Sequence, residues 1–185
     1  MRALTVTPQR RALVTGASGG IGGAVAERLG RDGLHVIAHD PYAARNAFTA
    51  AGVEAVSFDD LLARSDFISV HAPLTPATRS LLNATAFARM KKGAAIVNTA
   101  RGPLIDEAAL VAALERGHLG GAALDVVATE PLPGDSPLLG RDNVILTPHT
   151  AFYSVEALEE LQTKCATDVA HVLLGEPPVY PVKAG

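Results

Sequence analysis

The sequence predicts an α/β fold, a doubly wound parallel sheet with helices on both faces. Apolar runs that are typical of buried strands alternate with helical segments of roughly ten residues. An early strand leads directly into a glycine-rich turn and a helix at residues 14–29. The chain has 185 residues, of which 48% are hydrophobic and 19% charged, a length and composition that fit one globular domain with a sizeable core.

Seven strands are predicted from the apolar runs, and helices from the segments between them. The strands are expected at residues 11–14, 34–40, 54–58, 67–71, 94–98, 119–126 and 144–146. The helices are expected from Ile21 and at residues 43–51, 59–64, 84–90, 106–116 and 155–174. Asn83 and either Asp59 or Asp60 are candidate N-caps. Because ligands bind at the carboxyl ends of parallel strands, we expect the functional residues at that edge of the sheet.

One domain is expected over residues 11–175, with a leader at 1–10 and a tail at 176–185. The net charge of −3 gives no electrostatic reason to expect nucleic acid or an anionic membrane as a partner. The sequence has no pattern of a signal peptide or a membrane span, and we expect a cytoplasmic protein. The single cysteine, Cys165, lies in a helical pattern and is expected to be a buried structural thiol.

The glycine-rich turn predicts a phosphate-binding loop of the Rossmann type. Glycines let the backbone approach a pyrophosphate, whose charge is favoured by the free N–H groups and the helix dipole. The G-x-G-x-x-G spacing fails because Ala17 stands at its first position, whereas a T-G-x-x-x-G-x-G spacing fits from Thr15 to Gly22 and resembles the short-chain dehydrogenases. The residues expected to contact the cofactor here are Gly16, Ser18, Gly19, Gly20 and Ile21.

A second test argues against the short-chain family. That family uses a catalytic Tyr-x-x-x-Lys, and none of Tyr42, Tyr153 and Tyr180 has a lysine four residues on. Tyr180 has only Lys183, at three residues.

The acidic residue at the end of the second predicted strand indicates the cofactor. Asp40 lies 18 residues after Gly22 and precedes Pro41. A carboxylate there can accept hydrogen bonds from the adenosine ribose hydroxyls, and it repels a 2′-phosphate. The sequence therefore favours NAD(H) over NADP, with Asp40 and Pro41 at the adenosine end.

From Gly22 onward the sequence resembles the NAD-binding domain of the D-2-hydroxyacid dehydrogenases. Residues 71–78 are similar to the family's H-x-P-L-T-x-x-T segment, and residues 98–106 to its N-x-x-R-G-x-x-[VI]-D signature. Residues 123–131 resemble A-L-D-V-F-x-x-E-P, although Val127 replaces the usual phenylalanine. Residues 148–151 match P-H-x-A, and the following Phe-Tyr-Ser resembles the C-terminal-binding-protein-like or phosphoglycerate-dehydrogenase-like branch.

The resemblance implies an NAD-dependent transfer of hydride between the cofactor and a small 2-hydroxy or 2-keto acid. Arg101 would hold the substrate carboxylate with a bidentate fork that lysine could not reproduce. His149 has the intrinsic pKa range of an acid/base, and Glu130 would favour its imidazolium form and fix its ring. Asp125 would bind the nicotinamide carboxamide. Further cofactor contacts are implied at Ala72, Pro73, Thr78, Thr99, Ala100, His149 and Ala151.

The family's substrate domain is expected to be largely absent, because only ten residues precede the first predicted strand. Three interpretations stay open: an oxidoreductase whose cleft is completed by a second subunit or partner, a non-catalytic NAD(H)-binding or protein-interaction module, and a truncated or chimeric domain. The intact set of Arg101, Glu130 and His149 favours the first. The family also implies a homodimer. The last helix is expected to expose an apolar face of Leu158, Leu161, Val169, Val172 and Leu173.

Three other histidines are interpreted as structural or surface residues, and no group of side chains has a convincing metal-ligand spacing. These histidines are His71, His118 and His171.

Overall fold

One parallel sheet of seven strands organises the residues that the computed structural model describes, which are 11–15, 20–50 and 52–181. In chain order the strands are β1 (Arg11–Thr15), β2 (His35–His39), β3 (Glu54–Ala55), β4 (Phe67–Val70), β5 (Ala95–Asn98), β6 (Gly121–Leu124) and β7 (Val144–Leu146). The spatial order is β3-β2-β1-β4-β5-β6-β7, and every pair is parallel. The order reverses between β1 and β4, which confirms the predicted Rossmann sheet.

Six α-helices and one 3₁₀ turn are described besides the strands. They are α1 (Gly20–Arg31), α2 (Arg45–Ala50), α3 (Phe58–Arg64), α4 (Ala84–Arg89), α5 (Glu107–Glu115), α6 (Val155–Leu173) and the 3₁₀ turn Gly102–Leu104. Asn83 caps α4 as predicted, since its side chain accepts hydrogen bonds from the N–H groups of Thr85 and Ala86. The 3₁₀ turn was not predicted.

The chain between β3 and α3 differs from the prediction. The strand expected at 54–58 ends at Ala55, and Phe58 begins α3. The cap is neither Asp59 nor Asp60 but Ser57, whose hydroxyl accepts from the N–H of Asp60 at 3.1 Å. A serine with extended backbone directly before a helix satisfies a donor that would otherwise lack a partner.

Two apolar clusters fill the interior around the sheet. The larger one includes Ile68 and Ile96 of the central strands, Phe87 of α4, Leu104 of the 3₁₀ turn and Leu110 of α5, all at most 1% exposed. The smaller cluster joins β1 and β2 to α1 and α2 through buried residues such as Val14, Ala26, Val36, Ala38 and Phe48. The 3₁₀ turn after β5 is thus anchored in the larger cluster.

The structure divides into two units, Met1–His149 and Thr150–Gly185. The second unit contains α6, which Ser154 caps by accepting from the N–H of Ala157. The carboxylate of Asp168 accepts from the backbone of Val179 at 2.8 Å, so residues after the helix fold back on it.

No residue of α6 is buried. The expected apolar face is exposed at Leu161, Val169, Val172 and Leu173, whereas Leu158 is half-buried. The prediction for Cys165 was wrong: its side chain is exposed, because α6 has no buried side for it to join. Homodimer formation stays a prediction. Within residues 11–15, 20–50 and 52–181, none of the helices has the length and apolar character needed to cross a membrane.

Candidate active site

The three side chains predicted to carry chemistry follow three neighbouring strands. Arg101 comes after β5, Glu130 after β6 and His149 after β7. The ends of these strands are in register, since Asn98 pairs with Leu124 and Leu124 with Leu146. The parallel topology therefore brings all three to one edge of the sheet, as the sequence predicted.

The backbone of Arg101 is held by the last residue of β5. The fully buried Asn98 side chain donates to the Arg101 carbonyl and accepts from the Ala100 N–H, both at 3.0 Å. Beyond it, buried Leu104 anchors the 3₁₀ turn. The Arg101 side chain itself is exposed, and its guanidinium donates to the Ala100 carbonyl at 2.6 Å. The loop is thus fixed while its cation faces solvent.

The loop after β5 lies against the loop after β6. A Cβ atom added to Gly102 would stand 2.0 Å from the carbonyl carbon and oxygen of Val127, and 2.6 Å from the Ala128 nitrogen. Only glycine permits this backbone approach. Gly102 therefore lets the Arg101 loop sit beside the segment that leads to Glu130.

His149 and Glu130 form a hydrogen-bonded pair. The Nδ1 atom of His149 lies 2.8 Å from Oε2 of Glu130, and Oε1 of Glu130 accepts from the Val127 N–H at 3.2 Å. These two hydrogen bonds, first that from His149, lower the pKa of Glu130 from its ordinary value. Glu130 is consequently a carboxylate at neutral pH, and it fixes the orientation of the imidazole.

The backbone of His149 is unusual. Its φ angle is 55°, in the left-handed region that few residues other than glycine adopt. The His149 N–H donates to the Asp125 carbonyl at 2.9 Å, which connects the loop after β7 to the end of β6. Such conformations often accompany functional sites, where neighbouring contacts hold them in place.

An apolar cavity borders the His149–Glu130 pair. Its volume is about 630 Å³, and its wall includes that pair and the apolar residues Val127, Leu132 and Leu146. The pair therefore has apolar surface on one side.

The predicted cofactor residues that are described in the first unit lie along the same edge. Asp40 and Pro41 follow β2, Ala72 and Pro73 follow β4, Thr99 and Ala100 follow β5, Asp125 follows β6, and Gly20 and Ile21 begin α1. Five strand spacings of about 4.8 Å separate β2 from β7, so Asp40 and His149 lie roughly 24 Å apart along the edge. Gly16, Ser18 and Gly19 lie outside the described residues, and Ala151 belongs to the second unit.

Two of these residues already have hydrogen-bonding roles within their own loops. The Asp40 carboxylate accepts from the Tyr42 N–H at 3.0 Å. The Thr78 hydroxyl donates to the Pro73 carbonyl at 2.6 Å and accepts from the Thr75 N–H at 2.8 Å. Thr78 thus shapes the turn that follows Pro73.

Two threonines at this edge make contacts that the sequence did not predict. The Thr15 hydroxyl accepts from the His71 N–H at 2.7 Å, joining the ends of β1 and β4. The Thr147 hydroxyl donates to the Asp125 carboxylate at 2.5 Å. The signal for Thr147 was its position just after a predicted strand, and Thr15 also begins the glycine-rich spacing.

The remaining histidines have structural contacts. The His71 ring lies 2.8 Å from the Ser69 hydroxyl, and burial lowers the pKa of His71. The His118 ring lies 2.8 Å from the Phe87 carbonyl. His171 of the second unit pairs with Glu176 at 3.2 Å. In the part of the chain that the structure describes, no three histidines, cysteines or carboxylates are grouped to hold a metal ion.

The chain is similar to a well-defined set of known proteins. Residues 3–151 match the model of the D-isomer specific 2-hydroxyacid dehydrogenase NAD-binding domain. D-3-phosphoglycerate dehydrogenase from Mycobacterium leprae is 49% identical over 158 residues, which are 85% of this chain and 30% of that protein. The chain thus spans less than a third of the length of this curated relative.

The chain is also similar to solved structures of 2-hydroxyacid dehydrogenases. The apo-structure of D-lactate dehydrogenase from Escherichia coli has a TM-score of 0.84 and 37% identity, with 92% of this chain and 53% of that chain covered. A D-isomer specific 2-hydroxyacid dehydrogenase from Xanthobacter autotrophicus Py2, crystallised with NADPH and MES, has a TM-score of 0.78 and 38% identity. That match covers 94% of this chain and 71% of the other.

Proposed function

The chain belongs to the D-isomer specific 2-hydroxyacid dehydrogenase family as an NAD-binding domain, and from this premise we propose that it carries the family's acid/base and carboxylate-binding groups. The reaction is hydride transfer between NAD(H) and a small 2-hydroxy or 2-keto acid. The observation that carries the proposal is the 2.8 Å pairing of His149 with Glu130, at the strand end beside the Arg101 loop. The remaining wall of the cleft is proposed to come from outside these residues, either from further chain or from a second subunit.

The residues at the carboxyl edge fit the cofactor. The N-terminus of α1 lies there and is proposed to stabilise the pyrophosphate, and Asp40, which follows β2, is proposed to bind the adenosine ribose. Asp125 is only 6% exposed, and its carboxylate is proposed to accept a hydrogen bond from the nicotinamide carboxamide. When bound, the cofactor supplies or takes up the hydride.

Each side chain then has a distinct role. Arg101 binds the substrate carboxylate with two parallel hydrogen bonds, which orients C2. During reduction His149 donates a proton to the carbonyl oxygen as hydride reaches C2, and in the reverse direction it takes that proton back. Since Nδ1 faces Glu130, the exchange uses Nε2. The Glu130 carboxylate accepts from Nδ1 and holds the ring in one orientation, which leaves Nε2 available to the substrate.

The test measures NADH binding by fluorescence and NADH oxidation with a panel of 2-keto acids. Binding together with turnover of at least one 2-keto acid is the expected result. Binding without turnover on any substrate would favour the alternative of a non-catalytic NAD(H)-binding module, which is compatible with the short span of the chain relative to its relatives. Absence of binding would contradict both.

Arg101→Lys is expected to lower kcat/KM for 2-keto acids by about 10- to 100-fold, mainly through KM. Lysine keeps the charge but loses the planar fork, and one hydrogen bond to a charged group contributes about 1.5–3 kcal/mol. Arg116→Lys is the control, because Arg116 caps α5 at the opposite edge of the sheet. Equal kinetics for Arg101→Lys and wild type would remove Arg101 from the proposal.

Asp40→Asn is expected to shift the ratio of NADH to NADPH affinity towards NADPH by about tenfold. The substitution removes the charge that repels a 2′-phosphate and weakens the bonds to the ribose hydroxyls. A relative of this chain was crystallised with NADPH, so the cofactor preference is a property that the ratio of affinities has to establish for this chain itself. Asp142→Asn, in the exposed turn before β7, is the control. An unchanged ratio in Asp40→Asn would exclude Asp40 as the discriminating residue.

A further inference from the structure

The segment that follows β7 is tied to the end of β6 by three hydrogen bonds. The Thr147 N–H donates to the Leu124 carbonyl at 3.1 Å, and the His149 N–H to the Asp125 carbonyl at 2.9 Å. Between them the Thr147 hydroxyl donates to Oδ1 of Asp125 at 2.5 Å. The first two involve backbone alone and would survive substitution, whereas the third depends on the threonine side chain.

The side-chain bond has the character of a charge-assisted hydrogen bond. Distances of about 2.5–2.7 Å are typical of a hydroxyl that donates to a carboxylate. Asp125 is 6% exposed, and a buried carboxylate is destabilised unless donors compensate for its lost hydration. Thr147 is itself exposed, so the hydroxyl is not needed to fill the core. The bond therefore affects the direction in which the Asp125 carboxylate points more than it affects packing.

We propose that Thr147 is a positioning residue for the nicotinamide. Its hydroxyl holds the Asp125 carboxylate in the direction from which it accepts the carboxamide N–H. Because Thr147 lies two residues before His149, the same segment fixes the ring face of the cofactor relative to the proton donor. This inference rests on the proposed binding of NAD(H) and adds to it a residue that acts through Asp125.

The experiment compares two ligands that differ by the nicotinamide. NADH and ADP-ribose share the adenosine, the pyrophosphate and the second ribose, but only NADH carries the carboxamide. Thr147→Val, which keeps the β-branched shape and removes the hydroxyl, is expected to weaken NADH binding by about tenfold and to leave ADP-ribose binding unchanged. Thr147→Ser, which restores the hydroxyl, is expected to return NADH affinity to within about threefold of wild type.

Several outcomes would overturn the inference. If Thr147→Val weakens NADH and ADP-ribose equally, the residue is merely structural. Wild-type NADH affinity in Thr147→Val, or no rescue by Thr147→Ser, excludes a role for the hydroxyl. A wild type that binds neither ligand refutes the proposed function and this inference with it, and is thereby distinguished from a failure of Thr147 alone. Thr147→Ala, judged by the same comparison, replaces Thr147→Val if thermal unfolding shows that the valine variant does not fold.

Discussion

Replacing Gly102 with alanine is expected to lower the free energy of unfolding by about 3 kcal/mol or more, and to abolish productive substrate binding. The added Cβ would lie 2.0 Å from the Val127 carbonyl, which is backbone and cannot move aside as a flexible side chain can. Overpacking in a well-packed region costs about 1–3 kcal/mol, and this case is expected at the upper end because the three nearest atoms are all backbone. Urea unfolding measures the first effect, and kcat/KM with a 2-keto acid the second.

Gly134→Ala is the matched control, because the same atom added at Gly134 would meet nothing within 4 Å. Its free energy of unfolding is expected to stay within about 1 kcal/mol of wild type. Gly102→Ala with wild-type stability and unchanged kinetics would show that the loops after β5 and β6 do not approach as closely as described. The close approach at Gly102 would then not explain how Arg101 is held near Glu130.

The sheet could be predicted because its strands are continuous apolar runs separated by helical segments. The start of α3 at Phe58 could not be predicted, because a run as short as Val56 to Phe58 fits both a strand and the first turn of a helix. The decision depends on Ser57, whose hydroxyl bonds to the Asp60 N–H only once the helix exists. The prediction that Cys165 is buried was wrong for a related reason. A helical pattern identifies a helix, but it does not show whether another element covers a given side of that helix.

The site could be predicted in part for a similar reason. Once the strands are known to be parallel, residues that follow them must meet at one edge, and this rule places Arg101, Glu130 and His149 together. The contact of Thr147 with Asp125 and the approach of Gly102 to Val127 join residues more than twenty positions apart. Such contacts depend on loop paths, which leave no periodic pattern in a single sequence.

His149→Asn is expected to lower kcat by about 10²–10⁴-fold while NADH affinity stays within about threefold of wild type. Asparagine is chosen because it tolerates the positive φ that His149 adopts, so the backbone is expected to keep its course. The asparagine amide neither gives up nor takes on a proton near neutral pH, so it cannot exchange one with the substrate oxygen as Nε2 of His149 is proposed to do. Stopped-flow oxidation of NADH with the best 2-keto acid measures the rate, and fluorescence titration measures the affinity.

The chain contains a second histidine–carboxylate pair, away from the candidate site, that serves as a control. His35 pairs with Glu54 at 2.9 Å, close to the 2.8 Å of His149 with Glu130, but His35 begins β2 and thus lies at the opposite edge of the sheet. His35→Asn is therefore expected to leave kcat unchanged. If kcat falls equally in both variants, the fall reflects a general disturbance of the fold. If kcat falls in neither, proton transfer does not depend on His149. A loss of kcat in His149→Asn but not in His35→Asn would show that catalysis depends on where the pair lies. A histidine–carboxylate pair is present at both edges of the sheet, and only the one at the carboxyl edge would then be needed.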